Sequence, residues 1–353
     1  MARTIGIVDE ANEGGKDDKL GIEIHTKSLI RFIDDTNTPI TVGVQGEWGS
    51  GKTSLINKIY HHFDQPEYKH VKQIWINSWE YSLLSTPEEA LLKIIKKITD
   101  ELLQEDKELS HKTIIQDSTR KLFKGAVRIG THVALGAKAA DVAEELLGDD
   151  AESIADLRDH LKKLVTDIAG RKTNPVKKVI IYVDDLDRIE PRNAVALLEL
   201  LKNIFSVPNC VFILAIDYQV VVKGLEHKFG KQTPENEWEF RAFFDKIIQL
   251  PFMMPMGQYN IGKYVNSLLL NIGFVGEEGL DAESVHEIIE TTIGGNPRSI
   301  KRLVNSVSLI QIFAVKRKAQ SGSMDPGEEG SQISEYDEKM LLFALLCLQI
   351  AYP

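Results

Sequence analysis

The segment that most restricts this chain is Gly46-Glu47-Trp48-Gly49-Ser50-Gly51-Lys52-Thr53. It follows the apolar, β-branched run at 39–45 and continues into TSLINKIYHHF, which has helical spacing. Glycines in such a turn let backbone N–H groups curl around an anion without Cβ clashes. The helix that begins at its end adds the positive end of a dipole. The spacing is G-x-x-x-x-G-K-[ST], in which the lysine bridges the outer two phosphates of a nucleotide and the hydroxyl holds Mg²⁺. Gly46, Glu47, Trp48, Gly49, Ser50, Gly51, Lys52, Thr53 and Ser54 are therefore the expected phosphate-binding residues. The bland alternative is a strand–helix turn with incidental glycines.

Four further apolar runs read as strands buried on both faces: 71–77, 177–185, 210–217 and a short one at 246–251. With 39–45 they make five strands alternating with helices, the pattern of an α/β protein with a parallel sheet. The strongest strand ends in VDDLDR. Asp184 at its end is the expected Mg²⁺ ligand, through water, and Asp185 is placed to orient or deprotonate an attacking water. Asp187 and Arg188 are expected to form a local ion-paired turn, or to face a neighbouring subunit. An acidic pair after a strand is usually a solvated turn; a preceding phosphate loop shifts the reading towards chemistry.

Far more chain separates Lys52 from Asp184 than a strand–helix–strand connection needs, so a helical insertion is expected at about 83–173. Within it Thr86, Pro87 and Glu89 have the spacing of a helix start. The segment 122–147 is rich in Gly, Ala and Val, but Arg128, Lys138, Asp141 and Glu144 interrupt it. Each such charge costs roughly 2.5–3.5 kcal/mol at mid-bilayer, which argues against a membrane span. A packed helical hairpin is expected there, with a surface-lying amphipathic helix as the second reading. After Pro251 every pattern is helical apart from an acidic loop at 319–332. The domains are thus expected at 1–250 and 251–353.

A net charge of −10 argues against a surface that binds nucleic acid throughout, though NPRSIKR and VKRK leave local contacts open. The two cysteines, Cys210 and Cys347, lie in apolar runs and fit buried free thiols in a reducing cytosol. No cysteine–histidine cluster has metal-ligand spacing, and the histidines read as structural. The first 21 residues lack the apolar core of a signal peptide.

GEWGSGKTSL, INSWEY, VDDLDR, FDKIIQLPF and GGNPRSIKRLVN together resemble the KAP family of P-loop NTPases, from about residue 18 to about residue 305. The resemblance implies a sheet of order 5-1-4-3-2, with an extra strand between those carrying the phosphate loop and the acids. It also implies a C-terminal helical lid, ATP as the nucleotide, and roles in signalling assemblies or antiphage defence. Many members of that family carry transmembrane helices in the insertion; the charged insertion of this chain departs from them. By the same matching, Asp217 stands where a sensor residue faces the terminal phosphate. Arg298, after an Asn296 cap and Pro297, resembles a lid arginine that reaches the nucleotide. Lys246 has either a nucleotide or an acid to face, and 17–21 is expected to border the adenine. Trp48 and Trp79 are expected to brace the loop by packing, and Arg188 and Arg241 are candidates to act on a neighbour's nucleotide. Three functions stay open: an ATPase switch of assembly or signalling working as a homo-oligomer or with an effector, a non-hydrolysing nucleotide scaffold, and a nucleic-acid motor or clamp.

Overall fold

The computed structural model describes residues 4–13, 18–82, 87–106, 111–121, 151–321 and 334–352. Four of the apolar runs form β1 (Ile40–Gln45), β2 (Val71–Asn77), β3 (Lys178–Asp184) and β4 (Cys210–Ile216); the fifth, expected at 246–251, is displaced, since 246–247 end a helix and β5 runs over Leu250–Met253. They make one sheet, ordered β2-β3-β4-β1-β5, with every pairing parallel. This is the expected order 5-1-4-3-2 counted from the opposite edge, and β4 is the extra strand between β1 and β3. All of β4 is buried, and all of β3 after its first residue. That burial is why these strands are written as unbroken apolar runs rather than in alternation.

The register sets the working edge of the sheet. Gln45 lies opposite Ile216 and Asn77 opposite Asp184. The phosphate-loop sequence, Asp184 and Asp217 therefore all leave the sheet at its carboxyl edge, where open α/β sheets hold their ligands.

Helices cover both faces. α1 (Glu23–Asp35) precedes the sheet, α2 (Lys52–Phe63) follows β1, and the short α3 (Ser78–Ser82) follows β2. The insertion contributes α4 (Pro87–Leu103), α5 over 112–121 and α6 (Ala151–Ala169). These helices are more than an appendage. Ile94, Ile98 and Leu102 of α4 and Leu157, Leu161 and Leu164 of α6 share one core with Ile74 and Ile76 of β2. Lys72 of β2 pins the end of α4 by bridging to Glu101 at 3.1 Å and to Glu105, just beyond the helix, at 3.3 Å. The run at 122–147 and the Thr86 cap lie outside the described residues, and so does the acidic loop beyond Ser321. Among the described residues no helix is long and apolar enough to cross a membrane. α7 (Pro191–Ile204), α8 (Tyr218–Phe229) and α9 (Glu237–Ile247) complete the layers around β4 and β5.

Two compact units emerge. One comprises residues 28–48 and 52–254, which hold the sheet. The other comprises 1–27, 49–51 and 255–353. In the second unit α10 (Ile261–Asn271), α11 (Ala282–Thr291), α12 (Pro297–Ser321) and α13 (Glu335–Ala351) follow one another. The segment 4–10 lies along them: the Thr4 N–H donates to the Asn271 carbonyl at 3.1 Å, and the Asn305 amide accepts from and donates to the Ile7 backbone. Both cysteines are free and buried, and burial pushes the Cys210 thiol up to about 12.

α7 and α8 approach closely at Gly224, where a Cβ would fall 2.2 Å from the Pro191 carbonyl oxygen. Backbone cannot yield as a side-chain tip does. Gly224→Ala should therefore lower stability by about 1–3 kcal/mol, the usual cost of overpacking, read as a fall in the denaturation midpoint. An unchanged midpoint would mean that this helix contact is not made.

Candidate functional site

In the sheet unit, the site is built where β1 and β3 end. The Lys52 side chain is only 7% exposed and turns back on its own loop. Its Nζ donates to the carbonyls of Gly46 at 2.8 Å and Glu47 at 3.1 Å, and lies 3.5 Å from Asp187 Oδ2. Asp184 is buried at the last position of β3. Its Oδ1 accepts from the Asp185 N–H at 2.8 Å, and the Thr53 hydroxyl acts on the same carboxylate. Burial raises its carboxyl pKa above the usual range; the bonds from Asp185 and Thr53 and the nearby Lys52 oppose that rise, and Asp187 adds to it.

The acids after β3 pair differently from the sequence expectation. Asp187 meets Lys52 rather than Arg188, and Arg188 Nε reaches Asp185 Oδ1 at 2.7 Å. The cause is the backbone. Asp185 is left-handed, with φ 58° and ψ 28°, and starts a tight turn over Leu186–Arg188. That turn folds Arg188 back over Asp185 and aims Asp187 inward. The Arg188 guanidinium also stands 5.1 Å from the centre of the Trp79 ring, a cation–π contact. Trp79 thus holds an arginine, and Trp48, expected to brace the loop by packing, is half exposed.

Gly49–Gly51 group with the C-terminal helices. Gly49 and Gly51 have φ of 89° and 100°, which L side chains rarely adopt. A Cβ on Gly49 would also meet the Arg298 Cβ and Asn296 Oδ1, both at 2.7 Å. Arg298 sits in the first turn of α12, where its N–H donates to Asn296 Oδ1 at 3.0 Å, and its Nε pairs with Asp9 Oδ2 at 2.6 Å. The Tyr259 hydroxyl donates to the Ser50 carbonyl at 2.8 Å. Neither Tyr259 nor Asp9 carries a sequence signal, since each reaches its partner from far along the chain.

The remaining candidates divide. Asp217 follows β4, and its Oδ1 accepts from the Gln219 N–H at 2.9 Å, capping α8. Arg241 is exposed and pairs with Glu237 of its own helix at 2.6 Å. Lys246 is exposed in the last turn of α9. Among the described residues no group of His, Cys, Asp or Glu has the makings of a metal cage. A cation at this site would take Thr53 and Asp184 oxygens together with phosphate and water, the habit of Mg²⁺. Ser50 Oγ is buried and meets no hydrogen-bond partner among the described residues, which fits a loop that receives polar atoms from a ligand.

A family model described as the KAP family P-loop domain matches residues 24–313. The chain belongs to the KAP family of P-loop NTPases. This KAP protein is 25% identical over 266 residues to the phage T7 exclusion protein of Escherichia coli (strain K12), an alignment covering 70% of this chain and 34% of that one. It thus spans about a third of the length of that curated relative. Among solved structures it matches the Aeropyrum pernix ORC1 protein in complex with DNA at 14% identity and a TM-score of 0.43. That match covers 93% of this chain and 66% of the other.

The raised pKa of Asp184 has a consequence for stability. A carboxyl whose folded value lies above its unfolded one binds more protons when folded, so stability falls as pH rises through that interval. Asp184→Asn should therefore melt above the parent at pH 7 without ligand, and the gain should shrink as pH falls towards the unfolded carboxyl value. A variant that melts lower at pH 7 and no differently at acid pH would contradict this electrostatic account.

Proposed function

We propose that this KAP protein binds Mg²⁺-ATP on residues 46–54, hydrolyses it, and uses the cycle to switch an assembly or signal in defence against phage. One observation carries the reading: Lys52 at the end of the phosphate loop is buried against Asp187, beside the buried Asp184 that ends β3, and Thr53 acts on the same Asp184 carboxylate. A P-loop NTPase needs the lysine, the hydroxyl and the strand-end acid together.

Each residue then has a task. The N–H groups around Gly49, Ser50 and Gly51 cradle the phosphates, and Lys52 leaves Asp187 for their oxygens. Thr53 and Asp184 would hold the hydrated metal, which would neutralise charge on the phosphates. Asp185 orients the attacking water and accepts its proton, Asp217 faces the water from the end of β4, and Arg298 takes the terminal phosphate. The partner is a second copy of the chain or an effector protein. Similarity to a phage exclusion protein supports the place in defence.

The grip of Arg188 on Asp185 favours one competing reading, a nucleotide-holding scaffold without turnover. Turnover and mass in solution, measured together with and without Mg²⁺-ATP, separate the two. The parent should release phosphate and gain mass with ATP. Lys52→Ala should stay folded, bind no ATP and stay at its starting mass, because the main side-chain charge on the phosphates is gone. A folded Lys52→Ala protein with parental ATP affinity would overturn the phosphate-loop assignment.

Asp185→Asn isolates the chemical step. Asparagine is nearly isosteric and tolerates the left-handed backbone found there. Binding should persist while turnover falls by roughly 10²-fold or more, the size of a lost general base. Turnover at the parent rate would move the base elsewhere, with Asp187 next in line.

A further inference from the structure

The segment 4–10 is held in an unusual way. Two of its apolar side chains lie open, Ile5 at 77% and Val8 at 66% exposed, and only Ile7 is partly covered. What holds it is a line of polar contacts. Thr4 bonds Asn271, the Ile5 carbonyl accepts from Ser308, and Ile7 exchanges two bonds with Asn305. The Glu10 carbonyl accepts from Lys301 at 2.8 Å. Each such bond contributes only about 0.5–1.5 kcal/mol net, because water replaces it on release. A segment fastened by polar contacts, with Ile7 as its one partly covered apolar side chain, can be let go.

The contact between these bonds is of another kind. Asp9 places its carboxylate on two cations, 2.6 Å from Arg298 Nε and 3.9 Å from Lys301 Nζ. Lys301 stands three residues after Arg298 on α12, on the same face. Both cations are 19% exposed, whereas Asp9 is 46% exposed. The cations belong to the wall and the carboxylate to the visitor. Burial lowers the Lys301 pKa and Asp9 opposes that shift, as expected of a lysine that needs an anion opposite. Arg298 also abuts Gly49 of the phosphate loop, and Gly49 belongs to the same compact unit.

We infer that Arg298 and Lys301 form an oxyanion seat, that Asp9 occupies it as an internal stand-in, and that a phosphoryl group of ATP bound at Gly49–Gly51 displaces Asp9 and frees the segment 4–10. The inference rests on the nucleotide reading above and adds Lys301, Asp9 and the release of the N-terminal segment to it. A phosphoryl group offers three oxygens and more charge than one carboxylate, so it competes well for two cations. Binding and release are then linked. Whatever loosens the segment tightens ATP, and ATP exposes the segment.

The test compares Mg²⁺-ATP affinity in the parent, Asp9→Asn, Asn305→Ala and Lys52→Ala. Asp9→Asn removes the competing charge. Asn305→Ala loosens the segment while leaving Asp9, Arg298 and Lys301 in place, so the two variants reach one result by separate routes. Both should bind ATP about tenfold more tightly, the scale of one charge-assisted contact. In the parent, saturating ATP should speed hydrogen exchange at the Ile7 amide. Parental affinity in both variants, with binding still lost in Lys52→Ala, overturns the seat and leaves the nucleotide reading standing. So does an Ile7 amide that ATP slows or leaves unchanged. Absence of ATP binding in the parent and both loosened variants overturns the two together.

Discussion

Charge buried at the carboxyl ends of β1 and β3 is the constraint to which the site answers. Lys52, Asp184 and Asp187 are all nearly removed from water. An isolated charge there would cost several kcal/mol, so each is matched. Lys52 takes two loop carbonyls and Asp187; Asp184 takes an N–H and Thr53. The matching explains the backbone. Asp187 reaches Lys52 because Asp185 turns the chain through a left-handed conformation that only glycine adopts freely. Strain of about 1–3 kcal/mol at such a residue persists only where its surroundings hold it. Here the Asp184–Asp185 bond and the Arg188 contact hold it from both sides.

Much of this was legible in the chain and some was not, for physical reasons. The strands were readable because a sheet covered on both faces must be written as unbroken apolar runs, and 177–185 is one. The phosphate loop was readable because positive φ at Gly49 and Gly51 leaves few residue choices. The strand order came from the family resemblance, since nothing local in a strand names its neighbour. The expected local ion-paired turn is present, but its partners were not legible, because only the φ of Asp185 gives Asp185 to Arg188 and Asp187 to Lys52. Tyr259 and Asp9 were not legible. Their partners lie 209 residues away at Ser50 and, for Asp9, at the far end of the chain. A single tyrosine or aspartate leaves no periodic trace.

The insertion shows how a long detour is tolerated. Loop-closure entropy grows only logarithmically with length, so adding helices between β2 and β3 costs little if they bury their own apolar faces. They do so on the core that β2 also lines: Ile98, Leu102, Leu157 and Leu161 are fully buried beside Ile74 and Ile76. β2 is an edge strand, and edges invite pairing with other chains. Helices packed against that side of the core thicken the sheet where it is least protected.

The two arginines considered for a neighbour's nucleotide differ in what each gives up. Arg188 is committed: it grips Asp185, whose side chain is 14% exposed, and covers Trp79. Moving it would leave a largely buried carboxylate without its cation, and such losses run to several kcal/mol. Arg241 is 69% exposed and, among the described residues, is tied to Glu237 alone, one helical turn away. Exposed i,i+4 pairs contribute about 0.3–0.5 kcal/mol, less than thermal energy. An arginine that must leave its own chain to meet another chain's phosphate needs that kind of weak attachment. Arg188, by contrast, suits a duty within the chain: on the hydrolytic reading proposed above, its release of Asp185 to the attacking water would couple its movement to turnover.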